Sequence, residues 1–246
     1  LTASAGSSYL WSTGETTAAI TVTPTSTTSY SVTVTNADGC SATSAVTTIG
    51  VNPLPVVAAG NDAAICEGST TSLVASGAAT YVWSPSTGLS ATNTASVTAN
   101  PSATTTYTVT GTDANGCVNT DQVVVTVSPL PTASITASAT TICVGASTTL
   151  TANGGSGFTY LWSNGATTQA ITVSPSATTT YTVSVTNANG CTSASAASQV
   201  ITVNPLPVAS ITASAPAVCV GTSATLTASA GSSYLWSTGA TTAAIT

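Results

Sequence analysis

Residues 159–204 read TYLWSNGATTQAITVSPSATTTYTVSVTNANGCTSASAASQVITVN, and the fold is decided in this stretch. Side chains in a strand point alternately to opposite faces. Tyr160 and Trp162 therefore share one face of a strand at Thr159–Ser163. Ala170–Val173 reads as a second strand, and Thr180–Thr186, which alternates Thr, Tyr and Val, as a third. Asn187-Ala-Asn-Gly190 reads as a hairpin turn, since Asn and Gly both tolerate positive φ, and Ser195–Val203 as the returning strand. Working outward, Ser134–Ala137 and Ser147–Ala152 supply two earlier strands. No window carries the 3.6-residue period of a helix. Seven or so short strands at roughly ten-residue spacing predict an antiparallel β-sandwich.

The pattern is repeated. Residues 1–21 return as residues 226–246 with one difference, Glu15 against Ala240, at an offset of 225 residues, or three periods of 75. Pro-Leu-Pro stands at 53–55, 129–131 and 205–207, Trp at 11, 83, 162 and 236, and Cys-x-Gly at 66, 143 and 219. Asn/Asp-Gly-Cys stands at 38–40, 115–117 and 189–191. A fixed period of this length marks a tandem array. The expected division is a partial repeat at 1–52, complete repeats at 53–128 and 129–204, and a partial repeat at 205–246. The array is cut within a repeat at both ends, so a longer natural chain is expected. Each Pro-Leu-Pro holds its neighbours extended and makes a short, stiff junction. The expected fold is all-β: small Ig-like (PKD-like) sandwiches of about 75 residues in an extended rod. Sandwiches this small are marginal alone and need disulfides or neighbour contacts.

Composition removes most chemistry. The chain has no Lys, Arg, His or Met, and its six acids give a net charge of −6. Charged residues are 2% of the chain, against roughly 25% in an average domain. Without His there is no Ser-His-Asp or Cys-His catalysis and no imidazole metal site. Without Lys or Arg nothing neutralises phosphate, which argues against nucleic acid, nucleotides and anionic membranes as partners. An enzyme and a bound cofactor are not expected. The 55 Thr and 36 Ser do not mark a disordered tract, because 42% of the chain is hydrophobic and the apolar residues keep register. No apolar run approaches 18 residues, so no membrane insertion is expected, and no leader peptide is visible.

The candidate residues read mainly as structural. Trp11, Trp83, Trp162 and Trp236, each in Tyr-x-Trp-Ser, are expected at the centre of each core; the alternative is an exposed platform for stacking carbohydrate. Tyr30, Tyr107 and Tyr181 follow Thr-rich runs and suggest a tyrosine corner. The turns at Asn36–Asp38, Asp113–Asn115 and Asn187–Asn189 hold one, one and no carboxylates, too few for calcium. No carboxylate pair recurs to support glycoside hydrolysis. Ser and Thr suit strand surfaces, or carry O-glycans; no Asn-x-Ser/Thr sequon occurs.

Six cysteines without other metal ligands or a Cys-x-x-Cys read as disulfides in an oxidising, extracellular setting. Two pairings are open. One closes each complete repeat, Cys66–Cys117 and Cys143–Cys191. In a sandwich, however, the turn after the first strand and the last hairpin lie at opposite ends, roughly 20 Å or more apart. Bridged Cα atoms lie within about 7 Å. The other pairing is head-to-tail, Cys66 with Cys191, leaving Cys40, Cys117, Cys143 and Cys219 to pair outside this stretch.

Ile142-Cys143-x-Gly145, Thr149-Leu150-Thr151-Ala152, Tyr160-x-Trp162-Ser163, Thr178–Val183 and Asn189-Gly190-Cys191 together resemble the Ig-like/PKD-like repeats of giant secreted proteins of Bacteroidota. Residues 81–127 are similar to the variant beside gliding-motility-associated C-terminal domains. The resemblance implies export by the type IX system, a place at the cell surface, and a role as adhesin, stalk or filament, with no catalytic residues. The expected function is a structural stalk of a surface adhesin, and the alternative is an array of carbohydrate- or surface-binding modules. Expected partners are neighbouring repeats of the same chain, with lateral self-association through β-edges that no Lys guards.

Overall fold

In the computed structural model, which describes residues 1–246, every regular element is a strand. The chain divides into two compact units, Leu1–Ser128 and Pro129–Thr246.

The first unit opens with β1 (Ser8–Trp11), β2 (Thr28–Tyr30), β3 (Val32–Thr35), β4 (Ser41–Thr43) and β5 (Thr47–Ile49). They form the sheets β1-β3-β4 and β2-β5. It continues with β6 (Ala63–Cys66), β7 (Thr71–Val74), β8 (Thr80–Ser84), β9 (Ser96–Ala99), β10 (Thr105–Thr112) and β11 (Val118–Ser128). These pair as β6-β11-β10-β8 and β7-β9. The second unit carries β12 (Ile135–Ala137), β13 (Thr141–Cys143), β14 (Thr148–Ala152), β15 (Thr159–Trp162), β16 (Ala170–Val173), β17 (Thr179–Thr186) and β18 (Ala197–Asn204). Their sheets are β12-β14-β16 and β13-β18-β17-β15. Last come β19 (Ile211–Ala213), β20 (Leu226–Ala228) and β21 (Ala244–Ile245) in one sheet.

Residues 129–204 show why the sequence folds this way. β16 alternates exposed and buried residues with period two, sending Ile171 and Val173 inward. Leu150 and Ala152 of β14 join them, and Trp162, Val183, Val185 and Ile201 close the core from the other sheet. Residues 53–128 repeat this with Leu73, Val97 and Ala99 against Trp83, Tyr107, Val109, Val123 and Val125. A third, smaller cluster gathers Trp11, Ile20 and Val32. Each core is made from residues near in sequence, as expected for Ig-like sandwiches in tandem.

The sandwich is not wholly antiparallel. β13 runs parallel to β18, and β6 parallel to β11. The sequence reading has no strand at Thr141–Cys143, because three residues are too few to show a period. The turn reading also needs correction. Gly39, Gly116 and Gly190 alone take positive φ in the three equivalent turns, and no non-glycine residue does so anywhere. The Asn or Asp before each Gly therefore does not use its tolerance of positive φ. The loop is instead closed by its first residue, which bonds the amide four positions on.

Candidate functional site

Those closing contacts recur. The side-chain oxygen Oδ1 of Asn36 accepts the N–H of Asp38 (3.0 Å) and of Cys40 (2.8 Å). Asp113 does the same for Asn115 (2.8 Å) and Cys117 (2.9 Å), and Asn187 for Asn189 and Cys191 (both 3.0 Å). The acids and amides of these turns are used as caps, and the turn presents a cysteine at its end. No three Cys, Asp or Glu side chains come together as a metal set.

Cys66 and Cys191 are disulfide-bonded, whereas Cys40, Cys117, Cys143 and Cys219 are free thiols. The two bonds within single repeats, Cys66–Cys117 and Cys143–Cys191, are thus not formed. Cys66 ends β6, beside Ser128 in the parallel register, and Cys191 is almost wholly buried. Cys40, Cys143 and Cys219 are exposed, and Cys117 is half-buried.

Trp83 and Trp162 are each 2% exposed and Trp11 is 6% exposed, so none offers a ring face to a sugar. Each indole N–H is anchored on a backbone carbonyl: Trp11 on Thr17 (2.8 Å), Trp83 on Thr94 (3.0 Å), Trp162 on Thr168 (2.8 Å) and Trp236 on Thr242 (2.8 Å). Trp236 is half-buried. The threonine that accepts also donates its own hydroxyl two residues on, Thr168 to Ala170 and Thr94 to Ser96, both at 2.8 Å. Composition alone leaves these threonines as strand-surface residues. The signal that singles them out is a shared offset, since Thr17, Thr168 and Thr242 each stand six residues after their Trp.

Tyr30 is buried, Tyr107 fully buried and Tyr181 half-buried. The Tyr107 hydroxyl donates to the Thr87 carbonyl at 2.8 Å, 20 residues upstream. That differs from a tyrosine corner, whose bond reaches only a few residues back. Burial raises the Tyr107 pKa, partly offset by a side-chain bond with Thr105. Asp121 behaves oppositely. Its Oδ2 accepts the Ala59 N–H at 2.8 Å, and this bond, with a second from the Gln122 backbone, lowers its pKa against a small effect of burial. Asp62 Oδ1 accepts the Val124 N–H at 2.8 Å. Both acids tie the early part of residues 53–128 to β11.

The linkers are tied down as well. The Asn119 side-chain amide donates to the Pro55 carbonyl at 3.0 Å, and that of Asn187 to the Pro129 carbonyl at 3.2 Å. Among surface residues, Leu10, Val82 and Leu161 occupy the middle of Tyr-x-Trp and stay exposed. No helix is long and apolar enough to cross a membrane.

Fold and pattern define a class, the tandem array of Ig-like β-sandwiches. More particularly, residues 131–205 match the family model of the Ig-like domain, CHU_C associated. Among solved structures, an adhesin with which an Antarctic bacterium binds ice is 17% identical at a TM-score of 0.41, covering 76% of this chain and 59% of that one. The N-terminal eight Ig domains of the Down Syndrome Cell Adhesion Molecule are 12% identical at 0.30, covering 95% and 47%. Murine CEACAM1b is 15% identical at 0.31, covering 58% and 96%. The chain thus spans about half the length of the first two of these. The comparison with curated proteins found no match.

Proposed function

We propose that the chain is a stalk segment of a large secreted cell-surface adhesin, a stiff spacer that carries other modules outward. The observation behind this reading is the recurrence of self-contained cores, in residues 57–125 and again in 133–203, joined through Pro-Leu-Pro. When each repeat buries its own core, the array is quasi-one-dimensional and its length follows its repeat number. The buried tryptophans leave the spacer reading better supported than the carbohydrate platform. The repeat boundaries are taken at 52/53, 128/129 and 204/205, and the setting as extracellular, at the surface of a Bacteroidota-type cell with type IX export.

The stapling is proposed to be head-to-tail, Cys66 to Cys191, so that a covalent bond spans the junction between successive repeats. Its support is that these two cysteines are oxidised while the two that would close single repeats remain thiols. Electron microscopy of the whole chain tests the spacer. An advance of about 35–45 Å per repeat is expected, since strands of 8–10 residues rise about 3.3 Å each. A compact particle, with the repeats folded back on one another, would overturn it.

A further inference from the structure

We propose that the open edge of β16, inside the complete repeat 129–204, pairs with the same edge of a second copy about a two-fold axis at Thr172. The inference stands apart from the spacer reading, which a chain without this contact would leave intact.

The register fixes where the backbone of β16 points. In an antiparallel pair, successive residues turn their amide and carbonyl alternately towards the partner strand and away from it. The Ser138 N–H donates to the Thr149 carbonyl at 2.9 Å, and the Ala152 N–H to the Gln169 carbonyl at 2.9 Å. Thr149 and Thr151 therefore bond β12, while Leu150 and Ala152 bond towards β16. Ile171 stands opposite Leu150 and returns its bonds. Ala170 and Thr172 consequently send their backbone groups the other way. β16 is the last strand of its sheet, and both residues are exposed. The Thr172 amide and carbonyl meet no partner at that edge.

The other complete repeat closes the same edge. Thr98 of β9 is the counterpart of Thr172, because the pairs Ser72–Thr98 and Leu73–Val97 match Thr149–Thr172 and Leu150–Ile171. Ser90 caps Thr98 twice. Its N–H donates to the Thr98 carbonyl, and its Oγ accepts the Thr98 N–H, both at 2.9 Å. Ser90 reaches there on a longer connection: Trp83 to Val97 is 14 positions, Trp162 to Ile171 only 9, a difference of five. Leu89 and Ala91 hold that connection down by packing on the core. The facing sheet of residues 129–204 also closes its edge at Trp162. There the Trp162 N–H donates to the Ala166 carbonyl and its carbonyl accepts the Gly165 N–H, both at 2.9 Å. β16 has neither device, and it carries no Lys or Pro. A free row of amides and carbonyls is a template for another strand unless something covers or guards it.

Charge and symmetry favour a second copy as the occupant. All six acids stand at or before residue 121, so residues 122–246 hold no charged side chain. Two copies of residues 129–204 meet without repulsion, and a charged partner gains nothing here. An antiparallel contact of β16 with itself sets Thr172 opposite Thr172, each N–H donating to the other's carbonyl. The two side chains then form a cross-strand threonine pair of the kind that stabilises sheets. Ala170 of each copy falls opposite Ser174 of the other. Such a contact is isologous and closes with two copies. Its short edge places it among weak, transient interfaces.

The test uses the full chain, with its free thiols alkylated so that no new disulfide contributes, in sedimentation equilibrium from micromolar to millimolar concentration. The weight-average mass is expected to rise towards that of a dimer. Thr172→Lys and Thr172→Glu each set like charges face to face at the axis, and each should weaken dimerisation by about fivefold or more. Mixed in equal amounts, the two variants set Lys opposite Glu and should recover the wild-type midpoint. Thr151→Lys is the control: Thr151 is exposed on the same face but lies in the middle strand, and its substitution should leave the midpoint unchanged. Thr172 is exposed, so its variants keep the fold, which hydrogen exchange at Ile171 and Val173 verifies. A wild-type chain that stays monomeric throughout, leaving the edge to a strand of another protein, overturns the proposal. So does a Thr172→Lys chain that dimerises as wild type does. A mixture no tighter than either variant alone overturns the two-fold register at Thr172.

Discussion

The Trp162 indole N–H donates to the Thr168 carbonyl at 2.8 Å, six residues further along the chain and on the way to β16. The contact pins the connection between the two sheets to the largest side chain in the core, and its counterparts at Trp11, Trp83 and Trp236 do the same. A Trp162→Ala variant should destabilise residues 129–204 by about 3–5 kcal/mol, the usual cost of emptying an aromatic core site. Trp162→Phe should keep much of the packing but strand the carbonyl, at a cost of about 1–3 kcal/mol for that group. Hydrogen exchange resolved by peptide checks both, because a whole-chain melt of several repeats is not two-state. Unchanged protection in the alanine variant would show the ring to be dispensable.

The Asn187 turn separates two roles of one side chain. Its oxygen caps Asn189 and Cys191, and its amide holds the Pro129 carbonyl. Asn187→Asp should preserve the turn, as Asp113 does in its own repeat, and free the linker. Asn187→Ala should lose both, at about 1–2 kcal/mol. Amide exchange at Cys191 should therefore quicken in the alanine variant and not in the aspartate variant.

Acidification should loosen residues 53–128 through Asp121. Its folded pKa lies below the ordinary aspartate value because the Ala59 and Gln122 amides bond the charged form. A depressed folded pKa gives stability that is present above the unfolded value and lost as pH falls through the folded one. Asp121→Asn should flatten the acid limb of the stability curve for this repeat. An identical acid limb in the variant would remove Asp121 from the account.

At the alkaline end Tyr107 acts in the same region. Burial raises its pKa, so its contribution holds below the ordinary tyrosine value and is lost as pH rises through the raised one. Ultraviolet titration should show one phenol ionising late, and Tyr107→Phe should abolish that late step.

Thiol labelling should follow exposure. Iodoacetamide applied to the native, unreduced chain should modify Cys40, Cys143 and Cys219 promptly and Cys117 more slowly, with Cys66 and Cys191 untouched until reduction. Prompt alkylation of Cys191 would contradict its oxidised state.

Much of the sandwich is legible in the sequence because burial imposes period two over four or more residues. Ala170–Val173 has the bounds its alternation suggests, and the strands around Trp162 and Val183 fall within a residue of theirs. What escapes a sequence reading depends on partners distant along the chain. Thr141–Cys143 is a strand only because Thr202–Asn204 lies beside it. Tyr107 reaches Thr87 because the β8–β9 connection passes over it, which no local spacing reveals. The turn glycines are visible, but the fixed role of the residue three before each is masked by its change between Asn and Asp. The oxidised state of Cys66 and Cys191 is the pattern of one of the two pairings left open by the sequence, and the choice between them belongs to tertiary structure, since each has sequence-equivalent cysteines that remain thiols.

The parallel pairing of β6 with β11, and of β13 with β18, bears on how the repeats take load. In each case an early strand and the last strand run side by side in the same direction. Tension applied through the two ends of such a repeat pulls these strands past each other along their length. Their hydrogen bonds are then loaded together in shear, and cannot open one at a time like a zipper. Loading of this kind must break the bonds of the short ladder together before the repeat can lengthen.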